Sequence, residues 1–254
     1  MDDEGVKVAL VTGSAAGIGQ AYASRLARDG FDIVIADLSP APDTERAVKA
    51  AGRNCLAVVC DVSDHESVGR LAGAVDQRFG RCDVVVNNAG IQPVKPFPEI
   101  DLDTWNRVLA INVTSMFLIC QAFLPYMVER GWGRVINQGS NSVGSTVSSF
   151  TSYMTSKGAV IAFSRALASE YGPAGVTVNT VAPGLTKTET VVNRGVGASG
   201  QPIQEEFDYF LGVQAIKHTA TPRDMEGVVS FLASEDAGFI TGQTLVVDGG
   251  VWRL

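Results

Sequence analysis

A chain of 254 residues with 46% apolar composition can bury a substantial core, and it is read as one α/β domain over 1–254. A net charge of -7, with Lys and Arg scattered along the chain, provides no basic face for phosphate backbones and excludes nucleic acid as a partner. Two histidines, and four cysteines (Cys55, Cys60, Cys82, Cys120) without ligand spacing, argue against a metal site and a Ser/His/Asp triad.

The opening Met1-Asp2-Asp3-Glu4 is acidic and unlike a secretory leader. The chain shows no stretch approaching roughly 18 to 20 continuous apolar residues, so a cytoplasmic protein with no membrane partner is expected. The first β-branched run, Val8 to Val11, leads into Thr12-Gly13-Ser14-Ala15-Ala16-Gly17-Ile18-Gly19 and a helix whose Ile18, Ala21, Tyr22 and Leu26 share one face. Glycines at such a turn let the backbone approach a pyrophosphate whose charge the helix N-terminus meets. The competing reading is a tight strand-to-helix turn without a ligand. A second run, Ile33 to Ala36, ends at Asp37, where an acidic side chain can bind the hydroxyls of an adenosine ribose. A carboxylate there repels a 2′-phosphate, and Ala16 and Leu38 supply no cation to receive one, so NAD is favoured over NADP. With Ser39 and Pro40 following, a turn aspartate is the alternative.

Further runs at Leu56 to Val59, Val84 to Val86, Val135 to Ile136, Val176 to Val181 and Leu245 to Val247 alternate with segments of helical period. This alternation predicts a single-domain Rossmann fold, a doubly wound parallel sheet of about seven strands flanked by helices. The helical segments around 103 to 129 and 152 to 171 are apolar on more than one face, which predicts a subunit interface. In the second of them Tyr153 and Lys157 stand four residues apart and share a helical face. A phenol ordinarily titrates near pH 10, so an acid/base group near pH 7 requires a shift of about three units, roughly 4 kcal/mol. Lysine at a wet surface does not supply that; lysine together with a positive nicotinamide ring in a partly dry site can. A surface tyrosine with an incidental lysine is the competing reading. Only residues from about 187 to 215 break the alternation: Gly195, Gly197, Gly200 and Pro202 precede Phe207, Tyr209, Phe210 and Leu211, in the manner of a mobile lid.

From end to end the chain resembles the short-chain dehydrogenases/reductases. Its glycine turn has the spacing TGxxxGxG, Asn87-Asn88-Ala89-Gly90 matches NNAG, and Pro183-Gly184 matches the PG motif. The resemblance implies NAD(H)-dependent interconversion of an alcohol and its carbonyl by a homotetramer. It implies that Gly13, Ser14, Gly17, Ile18, Gly19 and Asp37 bind the cofactor, that Asp61 and Val62 flank its adenine, that Asn88, Ala89 and Gly90 support it, and that Pro183, Gly184, Thr186 and Thr188 meet the nicotinamide end. Tyr153 and Lys157 would touch both cofactor and substrate, Ser140 would orient the substrate oxygen, and Asn112 would complete a tetrad by kinking its helix and linking the lysine to solvent. The segment Asn137-Gln138-Gly139-Ser140-Asn141 departs from the family's commoner serine pair and places a glutamine where a small residue is usual.

The family topology points to Gln92, Pro93, Ser142, Val143, Phe150 and Leu185 as substrate-binding residues. These are mostly apolar and include no arginine clamp, which predicts a neutral, hydrophobic or aryl substrate. Segments such as Phe79-Gly80-Arg81-Cys82-Asp83 are similar to those of 1-phenylethanol and pyridoxal 4-dehydrogenases within the family, hence an expected secondary or benzylic-type alcohol. Two rivals are a 3-oxoacyl-acyl-carrier-protein reductase, which Asp37 and the acidic charge disfavour, and a non-catalytic dinucleotide-binding protein, which the intact tetrad disfavours.

Overall fold

The computed structural model describes residues 5–145 and 147–252; the acidic residues 1 to 4 lie outside them. Each apolar run forms a strand: β1 (Val8–Thr12), β2 (Asp32–Asp37), β3 (Cys55–Val59), β4 (Val84–Asn87), β5 (Gly133–Gln138), β6 (Val176–Pro183) and β7 (Thr244–Val247). They make one parallel sheet in the order β3-β2-β1-β4-β5-β6-β7. β5 is longer than its apolar residues indicate because its polar side chains are bonded inside the fold. Arg134 is 3% exposed, donates to the carbonyls of Gly133 and Ser234, and lies over the Trp132 ring. Asn137 donates to Ser164 Oγ and accepts from Asn87 Nδ2.

Helices α1 (Gly17–Arg28), α2 (Pro42–Ala50), α3 (His65–Phe79), α4 (Leu102–Leu109), α5 (Ser115–Arg130), α6 (Thr151–Tyr171), α7 (Glu189–Asn193), α8 (Ile203–Val213) and α9 (Glu226–Ala233) complete the chain. The alternating side chains of the strands feed two cores, as a sheet covered on both faces requires. On one face Leu10, Val34, Val85 and Val135 pack with Leu71, Ile119, Phe123 and Met127. On the other, Val11, Ile33, Ile35 and Val86 pack with Tyr22, Leu26, Val48 and Val229.

α4 and α5 are joined by a π-helical turn, Ala110–Thr114, into one run, Leu102–Arg130. Contrary to the sequence expectation, this run is long and apolar enough, by length and composition, to cross a membrane. Much of its apolar surface is used inside the protein, where Met116, Ile119, Cys120, Phe123, Leu124 and Met127 are buried. Cys60, Cys82 and Cys120 are likewise buried and Cys55 is half-buried, all as free thiols.

Candidate active site

The strand order reverses between β1 and β4, and side chains and loops at the carboxyl ends of the strands line two connected clefts there. After β1 the chain turns through Gly13 and Gly17, whose φ angles of 63° and 60° favour glycine. A Cβ on Gly13 would lie 2.8 Å from the Ala89 Cα, and one on Gly19 would overlap the Gly13 carbonyl, so this turn requires bare backbone. α1 then begins with no side-chain cap at Ala16 and no acidic residue in its first turn, whereas Asp64 and Asp101 cap α3 and α4. An uncapped helix N-terminus beside a glycine cradle fits a dinucleotide pyrophosphate.

Gly13, Gly17, Ile18, Gly19, Asn88, Ala89 and Gly90 line this cleft. Asn88 Nδ2 donates to the carbonyls of Thr12 and Gly13 at 3.0 and 2.9 Å, so the end of β4 holds the turn in place. Ser14 departs from expectation: its hydroxyl is fully buried and donates 2.7 Å to the Val11 carbonyl, stapling the turn from within and facing away from the cleft. Asp37 serves the turn and lines the cleft at once. Its Oδ2 accepts from the Ala15 N–H at 2.9 Å and its Oδ1 from Ser39 N–H at 3.0 Å, while a carboxylate has further lone pairs to offer. An adjoining arm is lined by Asp37, Leu38, Asp61, Val62 and Ser63. Arg107 of α4 also lines this arm, a cation no sequence motif placed there.

Tyr153 and Lys157 sit one turn apart on α6, with Lys157 Nζ 5.6 Å from the tyrosine ring centre. Lys157 is 2% exposed, and its ammonium donates 2.6 Å to the Gln138 carbonyl. Burial lowers its pKa to about 8. Burial pushes the Tyr153 phenol above its ordinary value, against smaller lowering effects from the Ser140 hydrogen bond and the Arg194 charge. Ser140 Oγ accepts the Ser142 N–H at 3.2 Å, and its single O–H, which meets the Tyr153 phenol, can turn to an oxygen in the cleft. Asn112 lies in the π-helical turn, fully buried. It accepts the Ile91 N–H at 2.8 Å and donates 2.9 Å to both the Ile91 carbonyl and Ser156 Oγ, so it pins the loop after Gly90 beside the lysine. Gln138 finds a partner for its unusual amide: Tyr22 donates to its Oε1 at 3.1 Å.

The substrate side is a cleft lined by Gln92, Ser140, Ser142, Phe150, Tyr153, Pro183, Gly184, Leu185, Thr186 and Thr188. Val143 is not among its lining residues. The turn at Asn141–Gly144 is a 3₁₀ helix, in which residues three apart eclipse, so Ser142 and Ser145 share the cleft side and Val143 falls elsewhere. Thr186 and Thr188 are in place, with hydroxyls already bonded locally to the Gly184 carbonyl and the Val191 N–H. The segment 187–215 folds into α7 and α8, which turn Phe207 inward, leave Tyr209 exposed and set Phe210 on the cleft.

Among the described residues no arginine lines the substrate cleft, but one that the sequence did not place at the site stands on its cofactor side. Arg194, just past α7, lines the cofactor cleft, donates 3.1 Å to Gln92 Oε1, lies over the Phe150 ring and stands 4.0 Å from Glu206. Nothing local marked it: it comes to the site through the path of the chain between β6 and α8.

The family model described as "Enoyl-(Acyl carrier protein) reductase" matches residues 13–252. The L-2,3-butanediol dehydrogenase of Corynebacterium glutamicum is 37% identical over 253 residues, covering 96% of this chain and 98% of that protein. The D-threitol dehydrogenase of Mycolicibacterium smegmatis is 37% identical over 246 residues, covering 96% and 92%. The crystal structure of levodione reductase superposes with a TM-score of 0.90 at 31% identity, over 96% of both chains. With the glycine cradle and the seven-stranded sheet, these matches establish that the chain belongs to the short-chain dehydrogenase/reductase family, as a nicotinamide-dependent oxidoreductase of alcohols and carbonyls.

Proposed function

We propose that the protein is an NAD-dependent dehydrogenase of secondary or benzylic-type alcohols with a hydrophobic or aryl substituent. The observation that carries this reading is that Tyr153 stands where the two clefts meet, bonded to Ser140 and followed one turn later by the buried Lys157. In oxidation, Tyr153 Oη takes the hydroxyl proton while the Ser140 O–H bonds the same oxygen and fixes its distance. The nicotinamide, when bound, supplies the hydride acceptor. Lys157 keeps its bond to Gln138 and has two further N–H donors, one for the cofactor ribose and one to steady the phenolate. Asn112 holds the loop that borders the lysine, so it positions the proton path without touching substrate. Phe150 packs edge-on to Tyr153 at 5.7 Å and, with Leu185 and Phe210, offers the wall against which an aryl or alkyl group lies. The segment 187–215 acts as the lid over this wall, with Arg194 and Gln92 as its catch.

Asp37 is the basis for NAD over NADP. Steady-state rates with both cofactors are expected to favour NAD by about 100-fold in kcat/KM. Asp37→Ala is expected to cost about tenfold with NAD, mostly in KM, since one or two ribose hydrogen bonds are lost. Activity with NADP alone would overturn this assignment.

We further assign the protein to the cytoplasm, supported by its unpaired thiols. The homotetramer rests on α5 and α6: Phe117 and Val128 stay exposed, and a shallow apolar depression runs over Leu124, Pro125, Val128 and Tyr171. Light scattering is expected to give about four times the 26.8 kDa chain mass; a monomer at micromolar concentration would refute it.

A further inference from the structure

We propose that Gln138 binds the nicotinamide end of the cofactor with its amide N–H groups turned to the ring. The site then holds reduced cofactor more tightly, relative to oxidised, than an apolar side chain there would allow. This deepens the NAD(H) dehydrogenase reading and rests on it. Transfer of a hydride requires the ring to lie against the carbinol whose oxygen Tyr153 and Ser140 hold, which is where the two clefts meet. Ile18, Gln92, Gln138, Tyr153, Thr188 and Val191 line both clefts. Of these, Ile18 and Val191 are apolar, Tyr153 is the acid/base group, Gln92 accepts from Arg194, and Thr188 accepts the Val191 N–H. Gln138 is held from two sides and still has donors to give. Its backbone carbonyl accepts from Lys157, and β5 stays paired with β6 as far as Gln138 and Val181.

Tyr22 decides which end of the amide faces the ring. That tyrosine is fully buried on α1, and its hydroxyl donates 3.1 Å to Gln138 Oε1. The opposite turn of the amide would leave the phenol proton buried without this acceptor, a costly arrangement. Oε1 is therefore committed to α1, which leaves Nε2 for the junction of the clefts. No group among the described residues accepts from Nε2, and the atom is not sealed off from the cleft. An N–H presents the positive end of its dipole. Against the face of a neutral, electron-rich dihydronicotinamide this is a favourable contact, and against the cationic oxidised ring it is unfavourable. The amide thus acts on the difference between the two cofactor states, and in alcohol oxidation it favours the state that is formed.

The test is fluorescence titration of the full chain with NADH, and with NAD by displacement of NADH, read as the ratio of the two dissociation constants. Gln138→Leu is expected to shift the preference toward NAD by about fivefold, mainly through weaker NADH binding. Gln138→Glu keeps an acceptor for Tyr22 but turns a negative oxygen to the ring, so it is expected to shift the preference further the same way, by about tenfold or more. Tyr22→Phe removes the hydroxyl that holds the amide and is expected to give part of the leucine shift. A packing role alone moves both constants together and does not follow the order glutamine, leucine, glutamate. Should one variant fail to fold, a thermal melt shows it and the other two decide. An unchanged ratio in the folded variants, or a shift toward NADH in Gln138→Glu, would overturn the proposal and leave the dehydrogenase reading standing. Failure of the wild type to bind either nucleotide would overturn both.

Discussion

Tyr153→Phe is expected to reduce kcat/KM by about 10³-fold or more while cofactor binding and thermal stability hold. The substitution deletes one oxygen. The ring's edge contact with Phe150 and its approach to Lys157 survive, so the remaining walls of both clefts keep their shape. The reason for so large an effect is electrostatic. Burial raises the phenol in the protein alone, so it must fall by more than the three units that an ordinary tyrosine would need. Lys157, the Arg194 guanidinium and the positive ring of an oxidised nicotinamide act together to bring it down. Oxidation rates should accordingly rise with pH until the phenol is ionised in the complex, and the rise should vanish in Tyr153→Phe. Rates within tenfold of wild type, with fluorescence titration showing normal cofactor affinity, would mean that another group moves the proton.

Lys157→Met should produce the opposite signs in activity and stability: about a 10³-fold loss of kcat/KM together with a higher melting temperature near neutral pH. The lysine is buried and its pKa in the folded protein is lowered from 10.5 to about 8. Below pH 8 it is charged in both folded and unfolded chains, and the folded protein bears the full cost of burying that charge. Between pH 8 and 10.5 the unfolded chain binds the extra proton, so wild-type stability rises with pH across this window. After allowance for the lost bond to the Gln138 carbonyl, methionine should gain on the order of 2 kcal/mol at pH 7, a few degrees in Tm for a chain of this size. The gain should shrink as the pH approaches 10.5. Calorimetry at pH 7 and pH 10 reads the difference directly, and a destabilised variant at pH 7 would show that the hydrogen bond outweighs the buried charge.

Both results concern groups whose types and spacing were visible in the chain. The seven strands were legible for a related reason: strands covered by helices on both faces are continuously apolar, and Val8 to Val11 or Val84 to Val86 stand out against their polar flanks. Their order was less so, because β4 pairs with β1 across the two intervening strands, a long-range arrangement that no local pattern encodes. The glycine turn was readable since only bare backbone fits beside Ala89, yet the inward turn of Ser14 was not, since its bond to Val11 depends on the turn's own geometry. Val143 was expected on the cleft from the family topology, but the three-residue period of the 3₁₀ turn puts Ser142 and Ser145 there instead. Arg194 was missed because its partners, Gln92, Phe150 and Glu206, are distant in sequence on one side and separated by the glycine-rich stretch on the other.

Most residues lining the substrate cleft come from the turn after β5, the connection after β6 and the segment 187–215, while the two cores draw on the strands and the helices packed against them. Replacing Ser142, Leu185 or Phe210 therefore asks little of the packing that keeps the chain folded. A lineage with this architecture can exchange one alcohol for another by small steps, each tolerated by the same cofactor half, and the fold can outlast many changes of diet.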